Sequence, residues 1–135
     1  MKYDIKIDEY GDKYYYVNNV LHREDGPAVE WSNGTKKWYV NVELHRNDGP
    51  AEEYSNGDKY WYKNDLLHRE DGPAVECANC SKEWYKNGSR HREDGPAVEY
   101  AKGSKFWYLK GEYYGENEDF TVESWKKFIK TLIFS

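Results

Sequence analysis

The sequence lacks any long apolar run, and it contains only two cysteines and one methionine among its 135 residues. A membrane-spanning helix needs about 20 consecutive apolar residues, and no stretch approaches that length. The N-terminus, Met1-Lys2-Tyr3-Asp4, also lacks the apolar core of a signal peptide. Two cysteines in a chain without such a leader indicate a reducing compartment, so we expect a cytoplasmic protein that does not bind membranes.

Aliphatic side chains are also scarce, and acidic residues outnumber basic ones by 25 to 20. Hydrophobic residues make up 38% of the chain, and aromatic residues account for 18%. Large rings can cover a sheet where a thick aliphatic core cannot form. The net charge of −5 disfavours direct binding to nucleic acid or to anionic membranes. It is compatible with a protein partner, including a basic nucleic-acid-binding protein.

One stretch, His-Arg-x-Asp-Gly-Pro-Ala, occurs four times at a constant period of 23 residues. The copies occupy residues 22–28, 45–51, 68–74 and 91–97, and Asn47 replaces the glutamate of the other three. A fixed period of this length is typical of repeat architectures. The glycine and aromatic pair between copies also recur before the first and after the last, so the array begins and ends with half a repeat.

The sequence of each repeat predicts a β-hairpin. Residues 28–32 and 35–41 resemble strands, and Asn33-Gly34 lies between them. Asn-Gly between strand-like runs is a strong hairpin signal, because both positions of a tight two-residue turn need a positive φ. A two-residue turn predicts that Val29 faces Trp38.

The same turn in the next repeat, Asn56-Gly57, predicts that Glu52 faces Trp61. Side chains alternate along a strand, so a tryptophan stripe should lie on one face of the sheet and a tyrosine stripe on the other. An exposed tryptophan stripe could stack sugars or nucleobases. We expect core packing instead, because such platforms usually lie in basic grooves.

Consecutive hairpins predict an all-β repeat: a single twisted antiparallel β-meander of about nine or ten strands, with a C-terminal capping α-helix. The repeat array occupies residues 1–115, and the helical tail, residues 116–135, belongs to the same domain. The His-Arg-x-Asp-Gly-Pro connections should line one edge of the sheet. Because neighbouring repeats are two strands apart, equivalent loops should repeat every ~9.5 Å.

The tail shows helical rather than strand periodicity. Thr121 is placed as the N-cap, and Phe120 precedes it at the position from which it can pack on Trp125. A repeat array must cover its last apolar surface, so we interpret this helix as a cap. A partner-binding or membrane-surface helix is the alternative, because lysines lie on the opposite face. The apolar positions are Val122, Trp125, Phe128, Ile129, Leu132 and Ile133, and the lysines are Lys126, Lys127 and Lys130.

The period, the glycine-turn hairpin and the aromatic pair resemble MORN-type repeats and their bacterial variants. The His-Arg-x-Asp-Gly-Pro-Ala form is similar to arrays of bacterial, phage and large-DNA-virus proteins. The resemblance covers residues 10–111. It implies a β-meander scaffold that makes protein contacts, and it supplies no catalytic residue.

The four loops contain acid, base and cation side chains, but the same set recurs in similar surroundings. An active site needs a few residues with unequal roles that converge on one pocket. We therefore predict no catalytic residue, metal or cofactor, and we expect the loop residues to be mainly structural. The alternative is a multivalent binding edge, whose candidate residues are Arg23, Glu24, Arg46, Asp48, Arg69, Glu70, Arg92 and Glu93.

The pair Cys77 and Cys80 interrupts the third hairpin, where Cys80 replaces the turn glycine. A Cys-x-x-Cys pair could bind zinc or form a disulfide. Structural zinc needs four ligands and no second pair is present, so we interpret the cysteines as drift within the repeat.

These patterns favour a non-enzymatic protein-binding repeat scaffold. One alternative is a phage-encoded inhibitor of a host defence nuclease, whose acidic surface would block a nucleic-acid channel. The remaining alternatives are an enzyme and a membrane-lipid-binding repeat protein. The aromatic face or the C-terminal helix could also support a homo-oligomer.

Overall fold

The short polar-apolar alternations of the sequence form short antiparallel strands. The computed structural model describes residues 1–134, and the side chains of residues 1–132. A 12-stranded open sheet, three separate two-stranded hairpins and one C-terminal helix make up the fold. This confirms the predicted all-β meander with its capping helix, although the strands are shorter and more numerous than predicted.

The strands follow one another in chain order, with each hairpin between two strands of the main sheet. Strands of the main sheet are β1 Asp4–Ile7, β2 Lys13–Val17, β3 Val20–Leu21, β4 Val29–Glu30, β5 Lys36–Lys37, β8 Glu52–Glu53, β9 Lys59–Tyr60, β12 Val75–Glu76, β13 Lys82–Glu83, β16 Val98–Glu99, β17 Lys105–Leu109 and β18 Glu112–Glu116. The hairpins are β6 Tyr39–Val40 with β7 Glu43–Leu44, β10 Tyr62–Lys63 with β11 Leu66–Leu67, and β14 Tyr85–Lys86 with β15 Ser89–Arg90. A 3₁₀ turn, Asn117–Asp119, precedes helix α1, Val122–Phe134.

The Asn-Gly turn is a three-residue loop, so the predicted register is wrong by one residue. The Trp31 N–H donates to the Thr35 carbonyl at 2.9 Å, and Val29 pairs with Lys37 rather than with Trp38. Gly34 has a positive φ of 97°. The side-chain oxygen of Asn33 accepts the Thr35 N–H at 2.9 Å. A type I turn followed by a left-handed glycine therefore replaces the expected two-residue turn.

The other predicted pair fails in the same way. Glu52 faces Tyr60, not Trp61. Extension of the observed register by one residue places Ala28 opposite Trp38, on the same face of the sheet.

Each repeat contains a second turn, which in the first repeat lies at the end of the predicted return strand, residues 35–41. Asn41 and Val42 both have positive φ, 49° and 67°, and Val40 pairs with Glu43 across them. This is the geometry of a tight two-residue type I′ turn. It divides residues 36–44 into β5 and the β6–β7 hairpin, with Trp38 between them. Equivalent turns are Asn18-Asn19, Asn64-Asp65, Asn87-Gly88 and Lys110-Gly111.

Two rows of side chains cross the sheet, one on each face. In the first row, every cross-strand neighbour has the opposite charge, and such pairs stabilise antiparallel sheets. In the second row, three valines are buried beside aromatic rings, and Lys37 Nζ lies 3.4 Å from the buried Glu52 carboxylate. The first row is Lys13, Glu30, Lys36, Glu53, Lys59, Glu76, Lys82, Glu99 and Lys105. The second is Tyr14, Val29, Lys37, Glu52, Tyr60, Val75, Glu83, Val98 and Phe106.

Helix α1 begins as predicted. Thr121 is the N-cap: its Oγ1 accepts the Ser124 N–H at 3.0 Å, and Ser124 Oγ accepts the Thr121 N–H at 2.8 Å. The Phe120 ring packs on Trp125 with a centroid distance of 5.0 Å. These contacts define both the start of the helix and the angle at which the chain enters it.

The helix covers the last repeat, which confirms its capping position. Trp125 is fully buried, and with Ile129 it packs against Trp107 and Leu109 of β17. Val122 was predicted on this apolar face but is 44% exposed, because the helix reaches the sheet only from Trp125 onward. The predicted contribution of the Ile133 side chain lies outside the described residues. None of the described helices is long and apolar enough to cross a membrane.

Candidate functional site

Each arginine of the repeated motif is held on several sides. In the second copy, Arg46 Nε donates to Asp48 Oδ1 at 3.0 Å and Nη1 donates to the Pro50 carbonyl at 3.0 Å. Its guanidinium carbon lies 3.8 Å from the centroid of the Trp38 ring. A Cβ atom at Gly49 would come within 2.9 Å of that carbon. The glycine therefore provides the space in which the guanidinium stacks on the ring.

The other three arginines make the same contacts. Guanidinium carbons lie 3.7 to 3.9 Å from ring centroids in Tyr15, Trp61 and Trp84. Only 19% to 23% of each arginine side chain is exposed. One face of each ring is thus covered by an arginine of the same chain, and that face is not open to a sugar or a nucleobase. The arginines are Arg23, Arg46, Arg69 and Arg92.

The motif histidines join each loop to the next repeat. His22 Nδ1 accepts the backbone N–H of Asn41 at 2.9 Å. An accepting nitrogen carries no proton, so in the neutral ring Nε2 carries it and faces Glu24 Oε1 at 3.3 Å. Both ring nitrogens are therefore engaged within the fold. The same backbone bond joins His45 to Asn64, His68 to Asn87 and His91 to Lys110.

Burial lowers the pKa of His91, and the nearby Glu93 carboxylate opposes that shift. The neutral ring is the form that accepts the Lys110 N–H at 3.0 Å. Burial and the hydrogen bond from the Lys110 N–H therefore both favour the neutral form of His91.

The carboxylates have the opposite exposure to the arginines. Between 59% and 87% of each carboxylate side chain is exposed. Hydrogen bonding to Arg23 lowers the pKa of Asp25, and hydrogen bonds from Lys86 and His68 lower the pKa of Glu70. Both groups are therefore charged at neutral pH. We call the full set the carboxylate edge: Glu24, Asp25, Asp48, Glu70, Asp71, Glu93 and Asp94.

Three similar clefts separate successive loops, with volumes of about 560 to 600 Å³. Trp38, Trp61 and Trp84 each line one of them, together with carboxylates from the two flanking loops. The arginines of the two flanking loops also line each cleft, and one of them already covers the tryptophan ring, so an added cation would bind at the exposed carboxylates. The clefts recur with the repeat, so they form a periodic surface rather than one pocket.

The structure separates the predicted site residues into two groups. Glu24, Glu70, Glu93 and Asp48 lie along the exposed edge, whereas the four predicted arginines are mostly covered. Asp25, Asp71 and Asp94 were not among the predicted site residues, although they have the same place in the motif as Asp48. The repeat itself was the signal that could have identified them. The three tryptophans that line the clefts were expected only in the core.

The two cysteines lie in the first turn of the third hairpin. The Cys80 N–H donates to the Cys77 carbonyl at 2.9 Å, and Cys80 has a φ of 77°. Both thiols are free, and burial raises the pKa of the Cys77 thiol. Within residues 1–134, no group of three or more His, Cys, Asp or Glu residues is placed to hold a metal ion.

The contacts assign a packing role to most residues of the motif. Arginine covers the aromatic ring, histidine closes the next turn, and glycine makes room for the guanidinium. The seven carboxylates of the edge remain at the surface and outnumber the four motif arginines, so the loops carry an excess of negative charge. In comparisons with known proteins, no family model matches the chain, and no curated protein matches it.

Proposed function

We propose that the protein is a non-enzymatic repeat scaffold whose carboxylate edge binds a basic segment of a partner protein. The observation that carries the proposal is the segregation of charge within one motif. Each arginine side chain is 19% to 23% exposed, whereas the aspartate to which it donates is 70% to 87% exposed. A partner would therefore meet negative charge along the whole edge.

The spacing of the edge suggests the form of the bound segment. Neighbouring repeats are two strands apart, which places equivalent clefts every ~9.5 Å. A polyproline II segment has three residues per turn and advances by about 3.1 Å per residue, so every third side chain lies on the same side, about 9.3 Å apart. A lysine or arginine at every third position of such a segment would therefore supply one cation to the carboxylates of each cleft.

The repetition also supports a scaffold over an enzyme. Each motif arginine donates to the aspartate of its own loop, and each motif histidine accepts a backbone N–H of the next turn, so the loops repeat one arrangement rather than converge on one site. The resemblance to MORN-type repeats agrees with this reading, because it implies protein contacts without a catalytic residue. Exposed ion pairs are individually weak, about 0–1 kcal/mol, so several loops must act together.

Binding can be tested with a synthetic peptide that carries lysine at every third position of an uncharged sequence. The triple variant Glu24→Gln, Glu70→Gln and Glu93→Gln should weaken binding by about tenfold or more. Both affinities should fall as salt rises from about 50 to 300 mM, and more steeply for the unaltered protein. Isothermal titration calorimetry measures the affinity, and circular dichroism verifies that the variant is folded.

The matched control makes the same change in net charge away from the edge, at the exposed residues Glu9, Glu112 and Glu123. This control should retain the affinity of the unaltered protein. A second peptide, with the same composition and lysine at every fourth position, should bind less well. Equal affinities for both triple variants at every salt concentration would mean that the edge has no binding role.

A second candidate is inhibition of a nucleic-acid-binding enzyme, such as a host defence nuclease blocked by a phage-encoded protein. The same row of exposed carboxylates favours it, because a linear array of negative charge can occupy a basic nucleic-acid channel. The expected result is competition: the protein should displace DNA or RNA from its target, and the triple variant should not. If the target binds both together, the partner surface is not the nucleic-acid channel.

A further inference from the structure

Strand β1 is the first strand of the sheet and has one unpaired side. Within the described residues 1–134, β1 pairs only with β2. All four of its residues are exposed, including Ile5 at 49% and Ile7 at 64%. Apolar side chains on an unpaired edge favour the addition of another strand.

The backbone of β2 shows which groups of β1 point outward. The Tyr15 N–H donates to the Ala28 carbonyl at 2.8 Å, and the Tyr15 carbonyl accepts the His22 N–H at 3.0 Å. Both backbone groups of Tyr15 therefore point away from β1. Its cross-strand neighbour in β1 is Ile5. Residues opposite each other in an antiparallel pair either exchange both hydrogen bonds or neither, so Ile5 directs its N–H and C=O toward the free edge.

Alternation along the strand extends this assignment. Ile7 and Tyr3 share the direction of Ile5, whereas Asp4 and Lys6 bond to β2. The Asp8 N–H donates to the Asp12 carbonyl at 3.1 Å, on the β2 side, as the alternation requires. The free edge therefore offers the donors and acceptors of Tyr3, Ile5 and Ile7.

We propose that this edge pairs with β1 of a second copy of the chain, in an antiparallel ladder centred on Ile5. A two-fold axis at Ile5 places Ile5 opposite the partner's Ile5, and Tyr3 opposite the partner's Ile7. Every outward N–H then meets an outward C=O. The interface is isologous, and the two sheets become one continuous sheet.

The charges of Asp4 and Lys6 favour both this register and a second copy of the chain as the partner of the free edge. With the axis at Ile5, Asp4 lies opposite the partner's Lys6, and Lys6 lies opposite the partner's Asp4. Cross-strand pairs of opposite charge stabilise a sheet, and like charges directly opposite destabilise it. An axis at Asp4 or at Lys6 would place two like charges opposite each other.

An axis at Tyr3 or at Ile7 would bring only one kind of opposite-charge pair together. An axis at Ile5, in contrast, also places Lys2 opposite the partner's Asp8. Charge therefore favours Ile5 as the centre.

The proposal is tested by charge reversal and rescue, with sedimentation equilibrium over a range of protein concentrations. The unaltered chain, 16.1 kDa as a monomer, should reach twice that mass. Asp4→Lys alone and Lys6→Asp alone should each raise the dissociation constant about tenfold or more, because each places two like-charged pairs in the interface. The double variant Asp4→Lys with Lys6→Asp restores both opposite-charge pairs and should restore the dimer.

Hydrogen exchange supplies a second measurement that does not depend on a variant. The Ile5 and Ile7 amides should exchange more slowly as the protein concentration rises. The Asp4 and Lys6 amides should be insensitive to concentration, since they already bond to β2. Lys126→Asp, a charge reversal on the exposed face of α1, serves as the matched control and should leave the dimer intact.

Three results would overturn the proposal. If the protein stays monomeric at every concentration up to about 1 mM, the edge does not associate with itself at a useful affinity, and the proposal is wrong. A dimer that both single variants retain uses another surface. A dimer that the single variants lose and the double variant does not regain is not centred on Ile5.

Discussion

At the scale of single residues, the repeat consensus is explained by contacts within and between repeats. Arg46 bonds to Asp48 and to the Pro50 carbonyl while it stacks on Trp38. Because the Asp48 side chain is 87% exposed, its ion pair with Arg46 contributes about 0–1 kcal/mol, and the cation–π contact contributes about 0.5–2 kcal/mol. One side chain thus organises an entire loop. The motif recurs because the arginine of each loop packs on an aromatic ring in the same way.

Cys80 tests how strongly the first turn requires glycine. Its φ of 77° lies in the left-handed region, where Gly34 and Gly57 have φ values of 97° and 100°. A non-glycine residue there costs about 1 kcal/mol or more. Cys80→Gly should therefore raise the melting temperature by a few degrees, as measured by calorimetry. Gly57→Cys is the reverse change and should lower it.

The paired change Cys77→Tyr with Cys80→Gly restores the residues found at equivalent positions of the array. It should keep or raise the melting temperature if both cysteines are drift. Loss of folding in this variant would assign them a structural role. One equivalent of zinc in the purified protein, detected by mass spectrometry, would equally contradict the prediction.

His91 makes stability depend on pH. Burial lowers its pKa below the usual 6.5, so the unfolded chain binds a proton more readily than the folded chain does. The stabilisation is complete above pH 6.5 and is lost as the pH falls through the lower folded value. Urea unfolding at pH 7.5 and at pH 5.5 should show the loss, which should be smaller in His91→Gln.

An NMR titration of the ring would measure the same shift directly. Glu93→Gln should lower the pKa of His91 further, because that carboxylate opposes the effect of burial. Lys86→Gln should raise it, because the lysine charge contributes to the depression. A pKa of His91 at or above 6.5 in the folded protein would contradict the prediction.

At the scale of elements, two kinds of turn give each repeat its shape. The three-residue loop at Gly34 joins two strands of the main sheet, and the type I′ turn at Asn41-Val42 closes a separate hairpin. Each turn is bonded to its equivalent in the next repeat. Thr35 Oγ1 accepts the Ser55 N–H at 3.1 Å, and the Leu21 carbonyl accepts the Val42 N–H at 2.9 Å. The turns therefore stack as two ladders.

The capping helix depends on Trp125. This side chain is fully buried, contacts Trp107 at a centroid distance of 5.5 Å, and donates from Nε1 to the Arg92 carbonyl at 2.9 Å. Trp125→Ala should destabilise the protein by about 3–5 kcal/mol, as measured by urea unfolding. Val122→Ala, at an exposed position of the same helix, should cost much less.

Removal of residues 120–135 extends this prediction to the whole element. It would expose Trp107 and Leu109 of β17, so we expect aggregation or unfolding, detectable by light scattering. A stable monomeric truncation that has lost partner binding would instead make the helix an interface.

At the scale of the whole molecule, the protein is a linear stack in which each repeat contacts its neighbours. The strand order follows the chain, and hydrogen bonds join each repeat to the next, as between His22 and Asn41 or between Thr35 and Ser55. Stability should then be approximately a sum of repeat and interface contributions. The two ends differ: helix α1 covers one, and the other is the exposed strand β1.

Deletion of one complete repeat tests this organisation. Removal of residues 45–67 joins residue 44 to His68 and preserves the 23-residue phase of the array. The shortened chain should fold, with a lower urea m-value because it buries less surface. A deletion of 20 residues from the same segment breaks the phase and should prevent folding, as judged by circular dichroism. Equal behaviour of the two deletions would contradict the nearest-neighbour organisation.

The sequence by itself determined the period, the number of motif loops, the meander order of the main strands and the helix with its cap. Those features depend on local signals that repeat: a glycine turn, a proline at a strand start, and apolar residues at helical spacing. The same signals did not determine the register. Asn-Gly occurs in two-residue and in three-residue loops, and the choice depends on cross-strand contacts.

Only the tertiary structure decided which half of the motif faces solvent. Arginine and aspartate are both charged and adjacent to the same turn, so the sequence placed Arg46 and Asp48 together on the candidate edge. In the fold, Trp38 of the preceding repeat lies under Arg46, and the guanidinium stacks on it while its aspartate partner extends outward. That ring and the loop come from different strands, and their meeting is a property of the folded sheet. The acidic character of the edge follows from it.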